Sequence, residues 1–169
     1  MGQDKESTKD CIFTALTLLM EQKEYKYITV TDIARKSGIS RMTYYRTYSS
    51  KEDILVQHFR KVAQQIVSDS QGNEEQALFL FFTWFQEHSK LTELLEQAHL
   101  MNLLIDCFSV FTDFLYGAIH SGENKQPEAE YAVRFEAGGL FSLLTHSLAE
   151  GAKESPEEMA QITLKIMRK

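Results

Sequence analysis

An all-α fold is predicted by three features of this 169-residue sequence. Only two prolines and eight glycines interrupt the chain, so long stretches run without a turn signal. In most of these stretches apolar residues recur every three or four positions, which is the spacing of one helix face. At several boundaries a hydroxyl residue lies three positions before a carboxylate, the pattern of a capping box at a helix N-terminus. We expect about nine helices from this pattern.

Composition predicts a cytoplasmic globular protein. Apolar residues make up 43% and charged residues 25% of the chain, which suits a folded protein with a buried core. Cys11 and Cys107 lie in separate apolar runs without metal-ligand spacing, so we interpret them as reduced packing residues and predict no metal and no cofactor. The sequence has no leader pattern and no unbroken apolar run of about 18 residues, so no membrane partner is expected.

Positive charge is concentrated in one short window. The chain has a formal net charge of -6, yet residues 25–51 contain six lysines and arginines against a single carboxylate, Asp32. Two interpretations of this window remain open. It forms either an ordinary solvated surface or a basic face that binds a polyanion.

Capping boxes predict where the first helices begin. The first helix is predicted to start at the box that opens with Ser7 and to end near Lys23. The second is predicted to start at Thr29, where Asp32 completes a box. Gly38 should close it, because glycine readily adopts the left-handed conformation that ends many helices.

The next two helices complete a recognisable motif. Ser40 is expected to cap a third helix that ends near Ser49, because a further box begins at Ser50. Two short helices joined by a tight glycine turn, with a longer helix before them, form a helix-turn-helix. On the third helix Tyr44 and Tyr48 lie four residues apart and should face the core, which leaves the opposite face free for contacts.

That free face predicts contacts with DNA. Arginine can bind guanine or phosphate with two hydrogen bonds, and a tyrosine hydroxyl at a helix flank typically donates to a phosphate oxygen. The N-terminus of the fourth helix, at Lys51, also suits phosphate. The predicted contact residues are Thr29, Thr31, Arg41, Met42, Thr43, Tyr45, Arg46 and Lys51.

Two segments resemble the tetracycline-repressor (TetR) family of transcriptional regulators. They are TVTDIARKSGIS at residues 29–40 and TYYRTYSSKEDIL at residues 43–55, preceded by CIFTALTLLMEQKEYKYI. The resemblance implies a homodimer that binds double-stranded DNA at a near-palindromic operator, as a repressor that a small-molecule effector releases. Met42, Tyr44 and the pair Thr47-Tyr48 depart from the family pattern, which affects the expected operator sequence and not the fold.

The resemblance also divides the chain. Residues 1–50 are predicted to form the helix-turn-helix DNA-binding domain, and residues 51–169 a helical effector-binding and dimerisation domain. The fourth helix should run to about Ser70. Further helices are predicted over residues 74–89 and 99–120, from near Pro127 to about Glu150, and from Pro156 onward.

A polar stripe marks the helix predicted between His99 and His120, which is apolar on its other sides. The stripe is either a narrow solvated surface or the polar lining of a ligand cavity. In the second interpretation a small apolar or aromatic effector binds between this helix and the aromatic-rich helix before it. The predicted ligand residues are Phe82, Phe85, His99, Asn102, Leu103, Asp106 and Asp113.

By resemblance to the family, the last two helices of each protomer would build the dimer interface. The residues assigned to it are Leu140, Leu144, Leu148, Met159, Ile162 and Ile166. The small residues Gly138 and Gly139 would permit close helix approach, either between protomers or within one chain.

Three rival functions fit the sequence less well. No glycine-rich phosphate loop, nucleophile elbow or metalloprotease motif is present, so we predict that the protein is not an enzyme. A helix-turn-helix used only for protein association would not need the basic window at residues 25–51. A redox-sensing regulator acting through Cys107 would need a reactive thiolate.

Overall fold

The computed structural model describes residues 2–120 and 128–168, which form nine α-helices, one 3-10 turn at Tyr25–Tyr27 and no strand. The predicted all-α fold is therefore confirmed. In chain order the helices are α1 (Gly2–Met20), α2 (Val30–Ser37), α3 (Arg41–Thr47), α4 (Lys51–Asp69), α5 (Glu74–Glu87), α6 (Ser89–Gln97), α7 (Met101–Ile119), α8 (Ala129–Ala149) and α9 (Pro156–Met167).

The chain divides into two compact units. The first contains the residues up to Phe59 together with Glu93–Leu100, and the second contains Arg60–Thr92 and the residues from Met101 onward. Helices α4 and α6 each contribute residues to both units. The assignment of DNA binding to residues 1–50, and of effector binding and dimerisation to residues 51–169, stays a prediction.

Reciprocal side-chain caps fix the starts of α2 and α9. Thr29 Oγ accepts a hydrogen bond from the Asp32 amide at 3.1 Å, and the Asp32 carboxylate accepts one from the Thr29 amide at 2.9 Å. Ser155 and Glu158 form the same pair at α9, where Pro156 lies in the first turn. Each pair satisfies amide groups that have no partner inside the helix. The capping box predicted at Thr29 is confirmed, and so is the helix predicted from Pro156 onward.

Other predicted boundaries are wrong. Helix α1 begins at Gly2 and ends at Met20, so Ser7 lies inside it and does not cap its start. Helix α6 is missing from the sequence prediction altogether. His99 does not belong to the following helix but to the turn before it. Pro127, predicted near the start of α8, lies outside the described residues.

His99 ends α6 and does not start α7. Its φ of 57° is left-handed, and its amide donates to the Glu96 carbonyl at 2.9 Å. The Leu100 amide donates to the Leu95 carbonyl at 2.8 Å. This pair of bonds is the Schellman arrangement, in which one left-handed residue terminates a helix. Because that residue is usually glycine or asparagine, a histidine there gives little warning in the sequence.

The core of the first unit holds the short helices in place. Helix α1 packs against α2, and α2 packs against α3. A seven-residue helix such as α3 has little stability of its own, so its position depends on this packing. The largest side chains that are fully buried in this unit are Ile12, Leu16, Ile33, Tyr44, Ile54, Leu55 and Leu95.

An aromatic cluster forms the core of the second unit, where α5 packs against α9 and α7 packs against α8. The Phe81 ring centroid lies 4.9 Å from that of Phe108 and 4.8 Å from that of Phe111. Phe85 packs edge-on against Phe108 with 5.1 Å between ring centroids. Aromatic pairs at these distances are stabilised beyond the burial of their area. The cluster accounts for the density of phenylalanine in α5.

Helix α7 is long and apolar enough, by length and composition alone, to cross a membrane. The core helices of globular proteins meet the same criteria, and six residues of α7 are buried in the second unit, where α7 packs against α8 and α5. Two carboxylates, Asp106 and Asp113, also interrupt it. The absence of a membrane partner stays a prediction.

The buried hydroxyl of Tyr44 generates a stability prediction. Tyr44 is fully buried, its hydroxyl has no hydrogen-bond partner among the described residues, and burial raises its pKa to about 12. A buried hydroxyl without a partner carries an uncompensated desolvation cost. We predict that Tyr44→Phe raises the free energy of unfolding by about 1 kcal/mol, measured by urea denaturation.

Tyr45→Phe is the matched control, because it removes the same atom from an exposed neighbour. Its effect on the free energy of unfolding should stay within about 0.5 kcal/mol. A Tyr44→Phe protein that is less stable than the wild type would mean that the hydroxyl has a favourable partner in solution.

Candidate nucleic-acid interface

The turn between α2 and α3 is set by backbone geometry. Gly38 has a left-handed φ of 73°, and its amide donates to the Ala34 carbonyl, as does the amide of Ile39 at 3.0 Å. Ser40 then caps α3, with its Oγ accepting from the Thr43 amide at 3.0 Å. A residue other than glycine at position 38 would be strained at this φ. The predicted glycine turn and serine cap are confirmed.

Helix α3 separates a buried face from an exposed one. Tyr44 and Tyr48 are buried as predicted, with 6.1 Å between their ring centroids. On the other side Met42 is 81% exposed and Tyr45 is 58% exposed. Arg41 and Arg46 are also exposed and form no ion pair with any described residue. The exposed face therefore presents two free guanidinium groups, a thioether and a phenol.

Two of the predicted contact hydroxyls are engaged in local hydrogen bonds. Thr29 Oγ donates to the Asp32 carboxylate at 2.7 Å, and Thr43 Oγ lies 2.9 Å from Ser40 Oγ. Lys23 Nζ also binds Asp32 at 2.7 Å. Hydrogen bonds from Lys23 and then Thr29 hold the pKa of Asp32 well below its usual range. Thr31 is exposed, so its side chain is available to a ligand.

Lys51 is held by the 3-10 turn. Its Nζ donates to the Tyr25 carbonyl at 2.8 Å and lies 4.2 Å from the centre of the Tyr25 ring. The Tyr25 hydroxyl donates to the Glu52 carboxylate at 2.7 Å. Burial, followed by that hydrogen bond, raises the pKa of Tyr25 above its usual range, and burial lowers the pKa of Lys51. An ammonium group has three donors, so Lys51 keeps some capacity for a phosphate.

Sequence reasoning missed two tyrosines of the 3-10 turn. Tyr25 joins this turn to the first turn of α4 through Lys51 and Glu52. Tyr27 is 61% exposed just before the α2 cap, and Lys26 Nζ lies 4.9 Å from its ring centre. In the sequence, the segment YKYIT places two aromatics and a lysine directly before a capping box. This pattern could have indicated the two tyrosines.

The predicted ligand residues do not surround one cavity. Phe82 and Phe85 are buried, and Phe85 belongs to the aromatic cluster. Asn102, Asp106 and Asp113 are exposed, and Leu103 is partly exposed. His99 belongs to the first unit and the other six to the second. Phenylalanine side chains thus fill the predicted site between α5 and α7. The ligand-binding role of the seven residues stays a prediction.

The polar stripe of α7 faces away from the α5 core. Ser109, Asp113 and Tyr116, which belong to the C-terminal half of the stripe, line a cavity of about 510 Å³ within the second unit. Helices α4 and α8 provide its remaining walls. A cavity next to the stripe does exist, but it lies on the opposite side of α7 from the predicted position.

The residues assigned to a dimer interface fall into two groups. Leu140, Leu144 and Met159 are buried within a single chain, Leu144 being only 3% exposed. They pack inside their own protomer, and their assignment to the dimer interface stays a prediction. Leu148 is partly buried, whereas Ile162 and Ile166 are exposed.

A better candidate for a partner-facing surface lies on α8. Tyr131 and Phe135 are 77% and 82% exposed, on the side of the helix opposite its buried residues. Gly138, Gly139 and Ser142 continue this side along the helix, and all three are exposed. These five residues are called the α8 outer face below. Sequence reasoning missed the two aromatics because the leucines nearby gave the stronger apolar signal.

The cysteines give no support to redox sensing through Cys107. Burial raises the pKa of the Cys107 thiol to about 12, so its reactive thiolate is scarce at neutral pH. Cys11 is exposed and unpaired. Among the described residues no group of histidine, cysteine and carboxylate side chains could hold a metal ion.

The contact between Tyr25 and Glu52 generates a second prediction. Tyr25→Phe keeps the ring beneath Lys51 but removes the hydrogen bond to a carboxylate. We predict a loss of about 1 kcal/mol in the free energy of unfolding. The loss should shrink to near zero in a Glu52→Ala background, because alanine has no side-chain oxygen to accept the bond from the Tyr25 hydroxyl. Equal losses in both backgrounds would show that the hydroxyl acts through another group.

Comparison with known proteins places the chain in a family. Residues 72–169 match the family described as TetR_C_8, a transcriptional regulator C-terminal region. The chain is 25% identical over 162 residues to the HTH-type transcriptional regulator YxbF of Bacillus subtilis (strain 168), an alignment that covers 90% of this chain and 42% of YxbF. The chain spans less than half the length of the curated relatives that it matches.

Solved structures show the same fold. The dihydroxyacetone kinase operon activator DhaS superposes with a TM-score of 0.65 at 17% identity, over 95% of this chain and 93% of that one. The transcriptional regulator FadR from Bacillus subtilis, in complex with stearoyl-CoA, superposes with a TM-score of 0.54 at 18% identity, over 93% and 96%. These two structures show that the chain shares their fold. The chain belongs to the TetR family of transcriptional regulators.

Proposed function

We propose that this regulator binds double-stranded DNA as a homodimer, with α3 of each protomer in the major groove. The observation that carries the proposal is the exposed face of α3, where Arg41 and Arg46 form no ion pair with the described residues. A protein with a net charge of -6 gains nothing in solubility from concentrating free cations on one short helix. Binding to a polyanion such as DNA accounts for these free cations.

The contacts divide by chemistry. Arg41 and Arg46 can form paired hydrogen bonds with guanine, and Met42 can contact apolar base edges such as the thymine methyl group. Tyr45, Thr31 and Tyr27 are exposed hydroxyl donors suited to phosphate oxygens. Lys51 is a weaker candidate, since it already serves Tyr25, and Thr29 and Thr43 act chiefly as local caps.

The regulatory direction that we propose is repression with release by a small effector. Occupation of an operator blocks transcription without any further contact, whereas activation needs a surface for another protein. DhaS is described as an operon activator, so activation is the alternative. FadR from Bacillus subtilis holds stearoyl-CoA on the same fold, which supports a ligand-responsive regulator. A promoter fusion that gains expression when the regulator is deleted would support repression.

The DNA contacts lead to a third prediction. Arg41→Ala and Arg46→Ala should each cost about 1–3 kcal/mol in discrimination between a selected duplex and an unrelated one. Tyr45→Phe should weaken binding to both duplexes equally, because a phosphate contact carries no sequence information. Fluorescence anisotropy with labelled duplexes measures both quantities.

Arg168→Ala is the control for these variants, because Arg168 is an exposed arginine that lies outside the interface and pairs with Glu74 at 3.4 Å. It should bind both duplexes as the wild type does. Variants Arg41→Ala and Arg46→Ala that bind like the wild type would leave the third helix without a role in DNA binding.

The homodimer leads to a fourth prediction. Phe135→Glu puts a charge into the centre of the α8 outer face without touching the core, so the chain should stay folded and sediment as a monomer. A side chain at Gly138 or Gly139 would meet no described atom of its own chain, which leaves room for a partner helix. Leu144→Glu should instead unfold the protein, because it buries a charge.

Gln64→Glu adds the same charge to an exposed position of α4 and controls for charge alone. It should leave the oligomeric state unchanged. A Phe135→Glu protein that still sediments as a dimer would move the interface away from α8.

A further inference from the structure

The cavity beside α7 has the size and composition of a small-molecule site. Its volume is about 510 Å³, and it is formed by α4, α7 and α8 within the second unit. Val110, Phe114 and Val133 form its apolar wall. Sites for small organic ligands typically combine such a wall with a few placed polar groups.

The charged groups at this cavity are not equally available. Arg134 pairs with Glu130 at 3.4 Å on the same helix, and both are largely exposed. Asp113 has an interaction of its own. Within the described part of the chain, Arg60 has no carboxylate partner, and its guanidinium carbon lies 5.8 Å from the centre of the Phe114 ring. Arg60 is thus a cation placed over an apolar wall with its hydrogen-bond donors unused by any carboxylate.

We propose that this cavity binds an organic anion with an apolar tail. The carboxylate or phosphate head pairs with Arg60, and the tail lies against Val110, Phe114 and Val133. A guanidinium beside an aromatic ring is partly stripped of water, and its planar fork binds carboxylate or phosphate with two parallel hydrogen bonds. The two carboxylates at the cavity oppose an anion, but Arg134 offsets the charge of Glu130.

The position of Arg60 gives the ligand a route to regulation. Arg60 is the residue at which the second unit begins, and it lies on α4, whose first turn contains Lys51 and Glu52. An anion bound at Arg60 therefore acts on the helix that leads into the helix-turn-helix. The regulatory role of the ligand rests on the proposed function, whereas the binding site itself does not.

Isothermal titration of the full chain with four ten-carbon probes tests the site. Decanoate and decyl phosphate carry the proposed heads, decan-1-ol carries the same tail without charge, and decylamine reverses the charge. Both anions should bind at least about tenfold more tightly than decan-1-ol, and decylamine should bind no better than the alcohol. The two anions distinguish a carboxylate ligand from a phosphate ligand.

Arg60→Gln should remove the tenfold preference for the anions and leave the affinity for decan-1-ol unchanged. Arg60→Lys should keep part of the preference, because a single charge remains but the fork is lost. Arg168→Gln is the matched control and should bind all four probes as the wild type does. Thermal unfolding of each variant confirms that the chain is folded before titration.

Several results would overturn the proposal. They are equal affinity for decanoate, decyl phosphate and decan-1-ol, tighter binding of decylamine, and an Arg60→Gln protein that keeps the anion preference. Tighter binding of decylamine would assign the cavity to a cation held by Asp113 and Glu130. DNA binding is measured separately, so anion binding without any DNA binding would refute the proposed function and leave the ligand site intact.

Discussion

A helix of seven residues does not persist in water, so the exposed face of α3 exists only because the opposite face is buried. Tyr44 and Tyr48 provide that burial, and the glycine turn and Ser40 cap fix where the helix begins. Arg41, Met42, Tyr45 and Arg46 then point outward as a consequence of helical geometry. Any DNA contact that this chain makes through α3 depends on the burial of the two tyrosines.

The second unit follows a different principle, in which aromatic packing leaves little space on one side of α7 and more on the other. Phe81, Phe85, Phe108 and Phe111 fill the side toward α5. The polar stripe lies on the other side, where Arg60 and α8 enclose a cavity. Arg60 and the apolar wall of Val110, Phe114 and Val133 line this cavity. The proposed preference for amphiphilic anions over neutral aromatics rests on this arrangement.

Local sequence signals predicted the first unit well because each depends on neighbouring residues. The box at Thr29, the left-handed Gly38 and the burial of Tyr44 all follow from spacing within a few positions. The box at Ser7 failed because hydroxyl and carboxylate at this spacing also occur inside a longer helix, where no amide is left unbonded.

The candidate ligand and dimer residues were harder to predict because they depend on which helices meet. A periodic pattern says that Leu140 and Leu144 share an apolar face, but not whether that face meets its own chain or a partner. The same limit applied to the stripe on α7, whose direction depends on the positions of α5 and α8. Arg60 gave no local signal, since a lone arginine within a helix is ordinary and only the cavity makes it distinctive.

Selection of duplexes from a random pool tests the central claim most directly. The account predicts that the wild-type chain enriches a near-palindromic sequence whose half-site centres lie about 10 base pairs apart, or a multiple of that spacing. The double variant Arg41→Ala, Arg46→Ala, which lacks both exposed arginines of α3, should enrich no sequence. Recovery of no motif by the wild-type chain, or of the same motif by the double variant, would contradict the account.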